Sequence, residues 1–339
     1  MRLKYKFQRL YKYEFWPWWI FYAPFFFQWL YYSIKSGSFL YFTNVNFDWN
    51  LGGLMQYSKF KAIKDIPKQF LPETKFYKYH KNYQPLLNHG LNYPLIYKPD
   101  KGERGKHVEI INDEQTLLNT INTYKEDFLL QEYVQLPVEL GVLYFKFPNG
   151  KSGITSIVLK EFLTIVGNGT DTLRQLLSEH LRAVARMEDW EQIFSKEELE
   201  KVIPKNKSII IEPIGNHCRG TKFLNGNYLI NNYLTKVFDE IAQNINGFHY
   251  GRFDLKTTSI DDLHKGKNIK IFELNGVNSE AAHIYQPGYG LWNAYKDVYK
   301  NLKLVYQISR QNKKLGIPPQ SLKVFFEAFK AHFVKNKGN

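Results

Sequence analysis

The chain has 339 residues, with 46 Lys and Arg against 32 Asp and Glu and a formal net charge of +14. An apolar content of 44% with only 14 Pro and 22 Gly excludes a disordered or fibrous chain, and the length suits one large core or two smaller ones. A single cysteine, Cys218, excludes an internal disulfide and any multi-cysteine zinc site, fits a reducing compartment, and reads as a small buried residue.

The aromatic residues, 17% of the chain, are unevenly spread. Residues 15–34, FWPWWIFYAPFFFQWLYYSI, hold 12 aromatic side chains and no formal charge in 20 positions. The leader before them, MRLKYKFQRLYKYE, carries five Lys/Arg and one Glu. The length alone suits a membrane span. However, Pro17 and Pro24 would break a helix interior, and Trp and Tyr favour the headgroup level over the hydrocarbon centre. A span behind a basic N-terminus would also carry the rest of the chain out of the cytoplasm, and Ser33-Ile34-Lys35-Ser36 is a poor signal-peptide cleavage site. The segment reads as two short helical pieces hinged near Pro24 and lying in a membrane surface. An aromatic arm packed on the protein's own core is the alternative.

From residue 38 the pattern is that of a globular α/β chain. SFLYF (38–42) predicts a buried strand, and SKFKAIKDI, after Gly52-Gly53, a Lys-rich helix closed by Pro67. PLIYKP (94–99) predicts a strand, DEQTLLNTINTY (113–124) a helix, and FLLQEYV (128–134) a strand. GVLYFKF and GITSIVLKEFLTIV read as strands joined by the Asn149-Gly150 turn. A helical stretch covers 171–202 with Leu173, Leu176, Leu177, Leu181 and Val184 on one face; SIIIEP (208–213) is a strand and NNYLTKVFDEIAQNI (231–245) a helix. Two strands then flank 258–268. At the end of the chain Phe325, Phe329 and Phe333 recur at i, i+4, i+8 among Lys323, Lys330, Lys335 and Lys337. That is a basic amphipathic helix, docked on the core or touching anionic lipid.

The chemistry concentrates in GRFDL (251–255) and KIFELNG (270–276). Alternate side chains of a strand share a face, so Arg252 and Asp254 point one way, as do Glu273 and Asn275. Paired as a hairpin, these strands converge two carboxylates, an amide oxygen and a guanidinium. Such hard oxygens suit Mg²⁺ held together with substrate phosphates, and the Arg would hold a phosphate or a developing negative charge. A surface hairpin with ordinary charge pairs is the alternative. Upstream, Lys98 ends a strand before Asp100-Lys101-Gly102-Glu103-Arg104-Gly105-Lys106-His107, where glycine-rich backbone and a lysine can cover phosphates. Glu132 and Glu139 lie around Tyr133-Val134-Gln135 at the end of an apolar strand.

In the order and spacing of these motifs the chain, over roughly 50–290, resembles the ATP-grasp ligases, nearest to D-alanine–D-alanine ligase-like and cyanophycin-synthetase-like carboxylate–amine ligases. Lys59 precedes Pro72 by the thirteen residues that separate the family's early lysine from its "GLP" proline. The resemblance implies an α+β (α/β) ATP-grasp fold, two α+β lobes clamping ATP. It implies that Lys59 and Lys98 contact nucleotide phosphates under a loop that includes Gly102, Arg104 and Gly105. Glu132 would take the adenine amino group, Tyr133 and Val134 the ring, and Glu139 the ribose. Lys160 would lie near ATP, Arg252 would bind phosphate and intermediate, and Asp254, Glu273 and Asn275 would hold two Mg²⁺ ions, with Mn²⁺ an acceptable substitute. Departures are a shortened N-terminal lobe, whose place is partly taken by the aromatic segment, and Asn168 in a "GDG"-like turn. They make D-alanine a doubtful substrate.

GNHCRGTKF (215–223) joins His217, Arg219 and Lys222 in a loop suited to an acyl phosphate or a substrate carboxylate, with Arg219 a candidate catalytic residue and a solvated basic turn the alternative. Ser279, Glu280 and His283 follow Asn275 where family members contact substrate. The nine His show no paired metal spacing.

The expected organisation is an aromatic, basic membrane-interfacial segment at 1–37 and a reduced lobe at 38–92. An ATP-grasp domain follows at 93–310, hinged near 132–139, with its helical stretch at 171–202, and a basic amphipathic helix closes the chain at 311–339. The expected protein is an ATP-dependent carboxylate–amine ligase using an acyl phosphate, peripheral on the cytoplasmic face of the membrane through residues 1–36. Its substrates would be a small-molecule or lipid-linked carboxylate and an amine; the resemblance also implies a homodimer, as many family members are. The alternatives are an ATP-grasp kinase acting on a hydroxyl and a non-catalytic nucleotide-binding membrane adaptor. The net charge alone would suit a nucleic-acid binder, but a charge-free aromatic run is a poor surface for tracking phosphates, so no nucleic-acid partner is expected.

Overall fold

The computed structural model describes residues 11–80, 89–102 and 105–337, with side chains to residue 331. The basic leader up to residue 10, Arg104 of the glycine loop and the side chains of Phe333, Lys335 and Lys337 lie outside the described residues.

Helices α1 (Trp18–Tyr22) and α2 (Phe26–Ser36) are joined by a 3₁₀ turn at Ala23–Phe25 that carries Pro24. Next come α3 (Lys59–Ile63), β1 (Thr74–Tyr77), β2 (Leu95–Pro99), β3 (Glu109–Ile111), α4 (Glu114–Tyr124) and β4 (Phe128–Glu132). The long hairpin β5 (Val138–Lys146) and β6 (Ser152–Glu161) turns at Gly150, whose φ of +89° suits a residue without Cβ. There follow β7 (Leu163–Val166), α5 (Leu173–Glu179), α6 (Met187–Ile193), α7 (Lys196–Leu199), β8 (Ser208–Glu212), β9 (Lys222–Asn225) and α8 (Asn232–Ala242). The chain ends with β10 (Tyr250–Thr257), α9 (Ile260–His264), β11 (Ile269–Asn275), α10 (Leu291–Lys314) and α11 (Leu322–Lys337). Ser58, Asp113, Thr172, Ser195, Asn231 and Ser259 each accept a first-turn amide proton, which fixes where α3, α4, α5, α7, α8 and α9 begin.

Two sheets face a common cleft: a four-stranded sheet, β1-β4-β2-β3, and a five-stranded sheet, β11-β10-β5-β6-β9, while β7 and β8 pair apart. Alternation along the five-stranded sheet separates two environments. Leu140, Val142 and Tyr144 of β5 and Phe253 and Leu255 of β10 join α3 and α8 in the largest core. The opposite face carries Glu139, Gly141, Arg252, Asp254 and Lys256 at one end. At the other end Leu143 and Tyr250 are covered by α10 and the N-terminal helices.

The aromatic segment is two-sided. α1 and α2 run beside α10 in the same direction, since Phe21 and Phe25 both meet Tyr295 at 5.3 Å, Gln28 donates to the Tyr299 carbonyl, and Lys313 donates to the Ser36 carbonyl. Tyr32 stacks on Tyr306 with centroids 4.1 Å apart. Trp18, Trp19, Phe26, Phe27, Tyr31 and Ile34 remain exposed, Phe27 to 75%. The packed arm of the sequence alternatives therefore exists, and its outer face is apolar and open. Among the described residues no helix is long and apolar enough to cross a membrane.

Several expectations are corrected. SFLYF is no strand: Leu40 and Tyr41 enter a buried 3₁₀ turn, and Asn44 beyond it donates to the Ser309 and Ile317 carbonyls instead of joining a ladder. A short buried apolar run fits either form. GITSIVLKEFLTIV breaks at Phe162 into β6 and β7, which belong to different sheets. The helical stretch 171–202 is three short helices and a 3₁₀ turn around buried Trp190. Among the described residues of 38–92, α3 packs on the large core and β1 pairs with β4. The C-terminal helix starts at Leu322, because α10 runs to Lys314 and Gly316, Pro318 and Pro319 separate the two. Cys218 is exposed, not buried.

Since Tyr306 carries the stack under Tyr32, Tyr306→Ala is expected to cost about 3 kcal/mol in urea unfolding, the usual loss for a buried ring. It should also speed proteolytic cleavage within residues 11–37. Unchanged cleavage would mean that the segment is held by other contacts.

Candidate active site

The register of three strands assembles the centre of the site. Lys256 of β10 stands directly opposite Glu139 of β5, and Asp254 opposite Gly141. On the other side of β10, Asp254 faces Glu273 and Arg252 faces Asn275. The result is a buried row of alternating charge. Arg252 Nη2 lies 3.1 Å from Asp254 Oδ2, Lys160 Nζ 3.2 Å from Asp254 Oδ1 and 3.0 Å from Glu139 Oε1, and Lys256 Nζ 3.6 Å from Glu139 Oε2. Gly141 makes room for it, because a Cβ there would come within 3.0 Å of both Arg252 Cδ and Asp254 Oδ1. Gly215 does the same for Glu139, whose Oε1 would be 1.9 Å from an added Cβ.

Burial by itself would raise the Asp254 carboxyl; Arg252 and then Lys160 overcome it and hold Asp254 below the usual carboxylate range. Burial opposes the charge on Lys160, and Asp254 and Glu139 more than restore it. Arg252 is likewise raised against burial, chiefly by Asp254. Asp254, Lys160 and Arg252 thus hold one another in their charged forms against the cost of burial.

Glu139, Lys160 and Lys256 of this row line a cleft of about 880 Å³, its open mouth included. Lys59, Lys98, Gly102, Gly105 and Glu273 also line it, as do Glu132, Tyr133 and Val134 at the end of β4 and Phe272 of β11. Lys98 Nζ donates to Gln131 Oε1 at 2.9 Å and to the Phe272 carbonyl, tying the two sheets together. Lys59 Nζ donates to the Pro99 and Gly102 carbonyls and so supports the start of the glycine loop. Gly105 has φ +70° and, with Val108, presents its carbonyl to Arg219 Nη2 at 2.9 and 3.1 Å. Arg219, expected at the reacting centre, is thus the latch of that loop, and Glu212 lies 3.6 Å from its other nitrogen.

The remaining expected substrate residues divide. Ser279 Oγ accepts from the Arg252 amide at 3.1 Å, and Glu280, bonded by Tyr285, contributes to the field at Arg252. His217 and Lys222 sit away from the cleft. His217 is 4.0 Å from Glu14, which the N-terminal segment inserts against Arg182, and Lys222 pairs with Glu161. His283 is a correction: it is fully buried, with Nδ1 2.7 Å from Ser156 Oγ and Nε2 3.1 Å from Asp297 Oδ2. Ser156 is 1% exposed, and Asp297 meets His283 from α10 with its side chain 20% exposed, so His283 anchors the 281–285 turn to β6.

Sequence reading missed Lys256, Gln131 and Gly215. Lys256 had a signal, as the next same-face position after Arg252 and Asp254; the other two depend on which strands and loops meet.

Mg²⁺ fits Asp254, Glu273 and Asn275 by donor chemistry: carboxylates on directly opposed residues, with an amide oxygen that accepts from Tyr57 at 2.8 Å. Among the described residues no group of three His, Cys, Asp or Glu could hold a metal unaided.

Burial, with Lys59 adding, pushes Lys98 down to about 8. The unfolded chain keeps this proton to about 10.5, so folding gains stability from the group as pH rises between those values and loses it as pH falls through 8. Wild type is expected to gain about 2–3 kcal/mol on Lys98→Met over that range in urea unfolding; parallel pH profiles would refute it.

No protein-family model matches the sequence, and no curated protein matches it. Among solved structures the chain is similar to D-alanine–D-alanine ligase from Bacillus anthracis, with 15% identity over 73% of this chain and 64% of that one and a TM-score of 0.39. It is similar to the D-Ala:D-Ser ligase VanG from Enterococcus faecalis at 15% identity, over 77% and 63%, with a TM-score of 0.39. The biotin carboxylase domain of a 2-oxoglutarate carboxylase from Hydrogenobacter thermophilus matches at 12% identity, over 77% and 46%, with a TM-score of 0.40. The chain spans less than two thirds of the length of each. At such scores the likeness carries no weight for the chemistry, which rests on the side chains around the cleft. The chain is a mixed α+β protein with two sheets that face one cleft.

Proposed function

We propose that the protein is an ATP-dependent carboxylate–amine ligase that works through an acyl phosphate at the cytoplasmic surface of a membrane. The observation that carries the reaction is the cleft itself. Lys59, Lys98 and Lys160 line it together with Glu273, and Lys160 and Arg252 hold Asp254, which stands opposite Glu273; this is a setting for a polyphosphate that is drawn towards a second anion. Val134 and Phe272 add apolar lining that suits a base, and Glu139 lines the same cleft. Asp254, Glu273 and Asn275 would hold Mg²⁺, two ions in this reading with Mn²⁺ an acceptable substitute; bound there, the metal would neutralise charge on the phosphates.

The protein's own contribution is placement. Arg252 of β10 and Lys160 of β6 flank β5 and are held together, because each is bonded to Asp254. They would hold a substrate carboxylate and the acyl phosphate formed from it while an amine displaces phosphate. Positioning and preorganised charge are what phosphoryl transfer chiefly requires. With ATP, a carboxylate and an amine supplied, Asp254→Asn and Glu273→Gln are each expected to lower ADP release at least about 100-fold, the scale of losing one preorganised electrostatic group; the unfolding midpoint should change little in Glu273→Gln and fall in Asp254→Asn, which takes from Lys160 and Arg252 the carboxylate they share. Hydroxylamine should trap a hydroxamate from the wild type. A stable phosphate ester instead of a hydroxamate would replace the amine acceptor by a hydroxyl, and full turnover in both variants would remove the metal assignment.

The outer face of α1 and α2 supports the membrane part. Trp18, Trp19, Phe26 and Phe27 are exposed, and in the sequence they lie between Lys12 and Lys35 and follow a basic leader. Trp and basic residues together favour an anionic lipid–water interface. The substrate is then a small or lipid-linked carboxylate. Replacing the four aromatic residues by Ser leaves the buried face of the segment intact. It is expected to abolish co-sedimentation with anionic liposomes, and undiminished binding would sink the anchor.

A further inference from the structure

The charged row ends on Lys256, which the chemistry of acyl phosphate formation does not use. Its ammonium is buried at the nucleoside end of the cleft, with the residue 8% exposed. It donates to the Val134 carbonyl of the hinge at 3.0 Å, lies 3.6 Å from Glu139 Oε2, and sits over the rings of Tyr133 and Phe162 at 5.4 and 5.5 Å. A side chain needed only to fill this space would be cheaper as Met, because burying an ammonium carries a desolvation penalty of several kcal/mol. The buried charge therefore implies a task.

Glu139 shows what the task is. Lys160 takes one carboxylate oxygen from β6, Lys256 approaches the other from β10, and Gly215 packs against the group from a third side. Lys160 alone leaves the carboxylate free to turn and is shared with Asp254 at 3.2 Å. With Lys256 in place both oxygens are oriented, and each keeps a further lone pair for a ligand. Two fixed acceptor oxygens beside the hinge are complementary to the paired 2′- and 3′-hydroxyls of a ribose. The same ammonium fixes the hinge carbonyl, so the base and sugar positions are set together.

We propose that Lys256 is a positioning residue that makes the nucleotide site selective for a ribonucleoside over a 2′-deoxyribonucleoside triphosphate, by holding Glu139 and the Val134 carbonyl in one frame. The inference rests on the nucleotide reading of the cleft.

The test is equilibrium titration of the full-length protein with ATP and with 2′-deoxy-ATP. The wild type is expected to prefer ATP by about tenfold, the effect of one 1.4 kcal/mol contact. Lys256→Met should lose about that factor for ATP and little for 2′-deoxy-ATP, bringing the ratio near one, and Lys256→Arg should restore most of the preference. If Lys256→Met does not fold, Lys256→Gln, which keeps a donor for Val134 without the charge, gives the same readout. An equal loss for both nucleotides, or an unchanged ratio, overturns the proposal and marks Lys256 as a packing residue. A wild type that binds both nucleotides equally well overturns it while leaving the ATP reading intact; one that binds neither overturns both.

Discussion

The interaction on which the site depends is the alternating row Arg252–Asp254–Lys160–Glu139–Lys256, buried across three neighbouring strands. Removing any one member would strand a charge in a poorly solvated place, which costs far more than the net gain from a single pair. The row therefore constrains its surroundings. Residues 141 and 215 must lack a side chain, β10 and β6 must flank β5 in one register, and the loop at 213–216 must close over Glu139. The row carries three cations against two anions; Glu273, opposite Asp254, balances it, and Lys59 and Lys98 of the cleft supply the positive surplus. A cleft built this way is organised for an anionic ligand before one arrives.

The N-terminal segment solves a different problem with the same chain. The end of the five-stranded sheet beyond Arg252 would be bare without α10 and the aromatic helices laid along it. A helix pair so rich in Trp, Tyr and Phe can bury one face and still leave another apolar face outside. The segment also sends Glu14 to Arg182 and Tyr22 towards Glu280, so the element with the exposed aromatic face touches the surroundings of the site. In place of a separate N-terminal layer, α3 contributes Lys59 and β1 extends the smaller sheet.

Much of this was legible in the sequence where a local rule governs it. Same-face alternation put Arg252 with Asp254 and Glu273 with Asn275, and the hairpin that brings them together formed as expected. Asn149-Gly150 marked the β5–β6 turn, and Asp113 the start of α4. The failures fall where burial decides. SFLYF had the composition of a strand but no edge to join. His283 and Ser279 look alike as polar residues after Asn275, yet one lies in the core and the other caps the Arg252 amide. Arg219 is a loop latch because Gly105 and Val108, more than a hundred residues earlier, meet it in space.

By itself the sequence determined the strands, most of the helices and the order of the charged motifs, because periodicity, capping and turn chemistry act over a few neighbouring residues. It also fixed the uneven spread of aromatic and basic residues, which is a matter of composition. Only the tertiary structure decided which of the many charges share one buried row, which aromatic rings face inward, and that Lys256 holds Glu139. These depend on the pairing of strands distant in the chain and on the free energy of each group once water has been removed from it.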